Sequence, residues 1–160
     1  MKKSGKKKEK VIPLVRDSYF AVLKNSQGTR MFRNFFARVD GERKDIMRGG
    51  ALSCAFYASS LLAFLGLISR MHGTVAGTIH DLEKNGWKRA RVPRAGDVLV
   101  WESERDERGE MHRHIGFALG GAKAISNVSG SGVVGTHHVT FGMRRGKPRR
   151  RITAIYRKTL

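Results

Sequence analysis

The single cysteine of this 160-residue chain, Cys54, and a histidine sixty positions later, His114, are the residue types needed for covalent chemistry on a carbonyl carbon. A thiolate is the attacking form of cysteine. An unactivated thiol needs a base within about 3 Å, and that base is usually a histidine distant in sequence. Cys54 follows Gly49-Gly50 and Leu52-Ser53. Ser53 is a suitable N-cap for a helix beginning at Cys54, with Leu52 and Tyr57 as its hydrophobic staple. Free backbone N–H groups and the helix dipole at that first turn favour a negative sulfur. The other reading of a lone cysteine in an apolar helix is a small buried hydrophobe. His114 heads an alternating run, Ile115 to Leu119, and a returning strand carries Ser126 and Asn127. Either of these side chains can accept from the imidazole and fix its tautomer.

The elements that must position these groups follow from periodicity. Asp17–Lys24 reads as a short helix capped by Asp17 or Ser18. Thr29–Val39 reads as an amphipathic helix, with Met31, Phe32, Phe35, Phe36 and Val39 on one face and Arg30, Arg33, Asn34 and Arg38 on the other. Asp40-Gly41 and Gly49-Gly50 are breaks. Gly49–Ser69 carries no charge and approaches the length of a bilayer span, about 20 residues. Its serines and glycines favour a buried central helix instead. Thr74–Gly86 is a further helix, closed by Asn85-Gly86. Strands are expected over Asp97–Trp101, His114–Leu119, Ala122–Val128, Val133–Phe141 and Arg151–Tyr156. Gly120-Gly121 is a tight hairpin, Ser103–Met111 a charged loop and Ser129–Gly132 a flexible connection. Helices followed by strands point to α+β architecture with an antiparallel sheet of about five strands.

Charge speaks to partners and not to fold. Lys and Arg number 32 against 13 Asp and Glu, a formal net charge of +19. Residues 1–10 hold six lysines and one glutamate, and Arg144–Arg151 holds six basic residues and no acid. The first block reads as a basic disordered tail, and 11–160 as a single domain. Both blocks, Lys2–Lys10 and Arg144–Arg151, suit contact with a polyanion, and neither interleaves the aromatic residues that stack on single-stranded nucleic acid. One cysteine excludes an internal disulfide and a cysteine-rich zinc site. A metal site built on His112, His114, His137 and His138 lacks acidic partners at ligand spacing, so no cofactor is expected. No secretory signal is visible, and the expected location is cytoplasmic, with the cell envelope as the alternative.

Three segments in order resemble the NlpC-type cell-wall cysteine peptidases and the related CHAP-type amidases of the papain-like superfamily. They are Ser53-Cys54-Ala55-Phe56, Pro93-Arg94-Ala95-Gly96-Asp97-Val98-Leu99-Val100-Trp101, and His114-Ile115-Gly116-Phe117-Ala118-Leu119-Gly120-Gly121. The likeness covers about residues 45–157. It implies a papain-like fold, with N-terminal helices packed on the C-terminal sheet. It also implies Cys54 as nucleophile, His114 as base and a polar third residue orienting the imidazole. Ungapped counting puts that third residue at Ser126. Asn127 has the better acceptor and is the choice on chemistry, with Ser126 as runner-up. The chain departs from the family before and after the cysteine, where Ser53 and Ala55-Phe56 stand in place of an acid and Ser-Gly. No tyrosine stands at the family's upstream position, near Asp45-Ile46-Met47.

The expected activity is that of a thiol hydrolase cleaving peptide or amide bonds, with peptidoglycan peptides as the substrate implied by resemblance. A thioester acyltransferase uses the same first half-reaction. A non-enzymatic basic protein that binds nucleic acid is the reading from a different class, and its mark is steep loss of affinity with salt.

Overall fold

The computed structural model describes residues 9–128 and 130–160. The first helix, α1 (Val15–Asn25), carries Asp17 in its first turn and Lys24 in its last, both matched to the helix dipole. It buries Tyr19 and Leu23 four residues apart. The Tyr19 hydroxyl donates to the Gly96 carbonyl at 2.9 Å, tying α1 to the turn before the main sheet.

The helix expected over Thr29–Val39 does not form. Turns lead instead into β1 (Phe36–Val39), which pairs antiparallel with β2 (Glu42–Asp45). The reason lies in Asp40-Gly41. Both residues take positive φ, 50° and 82°, as a two-residue hairpin turn requires. The apolar residues that mimic one helical face divide their work. Phe32 and Phe35 pack on Phe56 at ring separations of 5.8 and 5.1 Å, whereas Phe36 and Val39 are exposed.

A single 3-10 turn (Arg48–Gly50) precedes α2 (Cys54–Phe64). The uncharged segment therefore yields one helix of 11 residues, stopped by Gly66 at φ 67°. Among the described residues no helix is long and apolar enough to cross a membrane. Next comes α3 (Val75–Lys84), capped by the Thr74 hydroxyl, which accepts from the Gly77 N–H.

The remaining strands are β3 (Lys88–Arg89), β4 (Val98–Arg105), β5 (Met111–Gly120), β6 (Lys123–Val128), β7 (Val133–His138), β8 (Met143–Arg144), β9 (Lys147–Pro148) and β10 (Ile152–Arg157). Six of them form one antiparallel sheet in the order β3-β10-β4-β5-β6-β7. β8 and β9 make a separate small hairpin. The architecture is α+β, with a six-stranded sheet instead of about five and with the β1–β2 hairpin interrupting the helices. The expected charged loop over Ser103–Met111 shrinks to a tip, because β4 runs on to Arg105 and β5 starts at Met111.

Alternation splits the sheet into two faces. Val98, Val100, Ile115, Phe117 and Ile125 join Ala55, Tyr57, Ala58, Leu61 and Leu62 of α2 in the principal core. Leu99, Trp101, Ala118, Ala124 and Ile155 form a second cluster on the opposite face, against Val139 and Phe141. The Ser-Gly connection after β6 is packed at its end: a Cβ on Gly132 would meet the Gly49 carbonyl at 2.8 Å.

Candidate active site

Cys54 is the first residue of α2, and the loop that delivers it is organised by Asp45. One carboxylate oxygen accepts from the N–H groups of Phe35 and Met47, and the other from Gly49 N–H and the Asn34 amide. Burial opposes charge on this carboxyl, but the Gly49 and Phe35 N–H groups and the other donors hold its pKa below the usual range. Ser53 occupies the N-cap position, but its backbone is helical and its hydroxyl caps nothing. The Oγ is buried without a partner. The expected serine cap is thus a position without its hydrogen bond.

Pairing of β5 with β6 runs from Gly120 only as far as Phe117, opposite Ile125. Beyond that point the β5 edge meets the sulfur of Cys54. The thiol donates to the Arg113 carbonyl at 3.9 Å, and the Ile115 N–H also points at the sulfur. A carbonyl and the N–H two residues on share one edge of a strand, so the sulfur lies alongside the backbone of His114.

His114 is 4% exposed and projects to the face that carries Trp101. Its Nε2 lies 2.8 Å from Ser126 Oγ. Ser126 Oγ in turn lies 2.7 Å from His137 Nε2, and His137 Nδ1 lies 2.8 Å from the His138 carbonyl. The His114 Nδ1 makes no hydrogen bond to another described residue. Gly116 permits the approach of the two strands here. A Cβ at that position would sit 2.6 Å from both Ser126 Cβ and the Ile125 carbonyl.

Asn127, the residue chosen on acceptor chemistry, does not reach the imidazole. Its amide donates to the Gly50 carbonyl at 2.8 Å, and its Oδ1 is buried without a partner. Consecutive strand residues face opposite sides of a sheet, so only one of Ser126 and Asn127 can meet His114. Asn127 instead pins β6 to the turn that precedes Cys54.

An aromatic shell encloses the polar chain. Phe141 stacks on His137 at 4.0 Å and 17° and meets His114 edge-on at 5.5 Å. It does so from a left-handed backbone, φ 56°, a costly conformation for a bulky residue. Trp101 lies 5.4 Å from His114 and donates its indole N–H to the Val139 carbonyl.

Arg150 belongs to the basic block expected to meet a polyanion, but it is 7% exposed. Its guanidinium donates to the carbonyls of Glu102 and His112 and pairs with Glu104 at 3.3 Å. Arg151 pairs with Glu102. The basic block therefore offers solvent Arg144, Arg145, Lys147 and Arg149, while Arg150 turns its charge toward the site. The basic residues before Glu9 lie outside the described residues.

Electrostatics set the resting protonation. Burial pushes the Cys54 thiol up, against the lowering effect of the Ile115 and Ala55 N–H groups and of Arg150. Burial, the Arg150 charge and His137 push His114 down to about 3. His137 is lowered as well, chiefly by burial. Both the thiol and the imidazole are therefore neutral at rest. The thiolate expected from the helix terminus alone is overridden by desolvation.

The His112 side chain makes its contacts outside this group. Its Nε2 contacts Asp106 and Glu110, and the Arg48 guanidinium is inserted between the same carboxylates at 3.4 and 2.7 Å. These three residues form the candidate cation cluster among the described residues, and Arg48 already supplies its positive charge. Asp97 fixes the turn into β4 by accepting from the Arg94 N–H, and it pairs with Arg157 at 2.6 Å.

Sequence reasoning named Cys54, His114 and Asn127, with Ser126 as runner-up; the structure brings His114 together with Ser126 instead of Asn127, and adds His137, Phe141 and Arg150 around them. No known protein-family model matches the chain, and no curated protein is significantly similar to it.

Proposed function

We propose that the protein is a thiol hydrolase of papain-like fold, a peptidase or amidase in which Cys54 is the nucleophile and His114 the base. One observation carries this reading. The sulfur at the head of α2 lies against the β5 backbone on either side of His114, whose Nε2 is engaged by Ser126 while Nδ1 has no partner among the described residues. Ser126 takes the orienting role in place of Asn127. Because the thiol and imidazole rest neutral, the base acts during attack and no ion pair is stored beforehand.

In the first half-reaction Nδ1 removes the thiol proton as sulfur adds to the carbonyl carbon of the substrate. The proton then passes to the leaving amine, giving a thioester. Water, deprotonated by the same nitrogen, releases the acid and the free thiol. The N–H groups of the first turn of α2, unused within the helix, favour the oxyanion of each tetrahedral intermediate. A peptidoglycan peptide is the substrate class that the family resemblance implies, and a strongly basic surface is consistent with an anionic wall polymer. The exposed cations of the β8–β9 hairpin, Arg144, Arg145 and Lys147, support an accompanying contact with a polyanion.

The test is incubation with purified peptidoglycan and with a panel of short peptides, followed by mass spectrometry of products and of intact protein. Release of new amines and an acyl adduct on Cys54, both lost in Cys54→Ala with unchanged circular dichroism, support the reading. Transfer of the acyl group to an added amine marks the acyltransferase variant of the same chemistry. If no substrate is cut and Cys54→Ala behaves as wild type in every assay, the basic-binder reading takes its place.

A further inference from the structure

The polar chain that begins at His114 continues past Ser126 to a terminus with one fixed polarity. A backbone carbonyl can only accept. The contact of His137 Nδ1 with the His138 carbonyl at 2.8 Å therefore places a proton on Nδ1. In a neutral ring the other nitrogen, Nε2, is then an acceptor. It lies 2.7 Å from Ser126 Oγ, so the serine hydroxyl donates to it. Having spent its one proton there, Ser126 can only accept from His114 Nε2, 2.8 Å away on its other side. His114 is thereby held with its proton on Nε2 and its lone pair on Nδ1.

We propose that His137 is a positioning residue that, through Ser126, fixes His114 in the Nε2–H tautomer required of the base. Its catalytic meaning rests on the thiol-hydrolase reading; the tautomer assignment does not. In the acylation step the sulfur–hydrogen bond breaks and a bond from that proton to Nδ1 forms. Ser126 and His137 keep their protons, and the Nε2–H bond to Ser126 shares the positive charge that arises.

Three further features support the assignment. Burial keeps both rings neutral, as the chain of single donors demands. Arg150, close enough to lower the pKa of both imidazoles, opposes a second proton on either. Phe141, in its left-handed backbone, stacks on the His137 ring and holds its plane. The register of β6 with β7 sets Ala124 opposite His137, which puts the ring on the same face as Ser126.

The test is the tautomer itself, read by long-range proton–nitrogen correlation spectra of uniformly 15N-labelled protein. His114 is assigned by its loss in His114→Gln. Wild type is expected to show a protonated Nε2 and a bare Nδ1. His137→Phe keeps the stacked ring shape and removes the acceptor. The Ser126 hydroxyl is then free to turn toward His114, and a substantial share of Nδ1–H tautomer appears. His137→Gln, whose side-chain carbonyl replaces Nε2, restores the wild-type spectrum. Ser126→Ala reproduces the His137→Phe spectrum and serves if that variant folds poorly. With a cleaved substrate, kcat falls roughly tenfold or more in His137→Phe at little-changed KM, since the wrong tautomer disables a general base, and recovers in His137→Gln. A His114 that stays Nε2–H in both His137→Phe and Ser126→Ala overturns the proposal, as does an Nδ1–H wild type. Tautomers that respond as expected in a protein that cleaves nothing leave His137 in its role and remove the hydrolase. Cysteine-dependent cleavage with unresponsive tautomers does the reverse.

Discussion

Ser126 and Asn127 are neighbours on β6 that face opposite sides of the sheet, one bonded to His114 and the other to the Gly50 carbonyl, each at 2.8 Å. Their variants are expected to separate accordingly. Ser126→Ala lowers turnover roughly tenfold or more, because the base loses its orienting partner. Asn127→Ala lowers the unfolding free energy by about 1–3 kcal/mol, the usual effect of leaving a buried carbonyl unpaired, and leaves the His114 tautomer unchanged. Urea denaturation and the nitrogen spectra read the two effects side by side.

Cys54 should react slowly with iodoacetamide at about pH 6. Burial raises its pKa above the ordinary value of 9.0, so alkylation accelerates only under alkaline conditions. Mass spectrometry of timed samples across pH gives the profile. Rapid labelling near neutrality in the absence of substrate would mean a stored thiolate and sink the neutral-pair assignment.

Stability should fall as the solution is acidified below about pH 6.5. His114 ionises near 3 when folded against 6.5 in the reference state. Between those values the unfolded chain binds a proton that the folded chain refuses. The contribution of His114 is therefore complete above 6.5 and is lost as pH falls toward 3, at a limiting slope of about 1.4 kcal/mol per pH unit. Burial also tends to raise the pKa of Asp81, yet the bond from His72 and the Ser69 and Arg70 N–H groups bring it down to about 2. Its own loss follows below about pH 4. Urea titrations from about pH 7 to pH 4 on wild type and His114→Gln check this, since the variant should show the shallower slope in that range.

Arg150→Met should act twice. It leaves the Glu102 and His112 carbonyls without their donors, at a cost of about 1–3 kcal/mol each, and it removes the charge that favours the Cys54 thiolate. Stability drops and the alkylation profile moves to higher pH. Arg150→Lys retains charge but not the forked geometry, so it should keep more of the alkylation profile than of the stability. An unchanged profile in Arg150→Met would exclude the guanidinium from the electrostatics of the site.

Gly116→Ala should separate His114 from Ser126 without replacing either. The added methyl would lie 2.6 Å from the Ser126 Cβ and the Ile125 carbonyl, so β5 and β6 must part where the hydrogen bond spans them. Overpacking of this kind commonly costs about 1–3 kcal/mol. Nitrogen spectra resembling those of Ser126→Ala, in a protein that still unfolds cooperatively, are the expected result.

Local signals were enough for the helix that starts at Cys54, the Thr74-capped helix and the β5–β6 hairpin at Gly120-Gly121, because capping residues, turn residues and period all lie within a few positions of one another. They misled over Thr29–Val39, where Phe32 and Phe35, directed at α2, and Met31, Phe36 and Val39, left exposed, happen to repeat at a helical interval. The Asp40-Gly41 pair carried the hairpin signal there. The third member of the site turned on side-chain direction. Acceptor strength favoured Asn127, while ungapped counting against the family pattern favoured Ser126, and strand alternation decides before acceptor chemistry can. His137 and Arg150 were beyond local reading. The first depends on the β6–β7 register, and the second on a run of charge in which one arginine turns inward while its neighbours face water.

The sheet keeps hydrocarbon from α2 on one side and the imidazoles, with their aromatic cover, on the other. On the proposed reading, assembly of the chain and tuning of the imidazole are assigned to separate surfaces of a single layer, while Cys54 packs on the side of the principal core. Replacements at Ser126 and His137 are therefore expected to retune the imidazole while the residues that seat α2 on the sheet stay untouched.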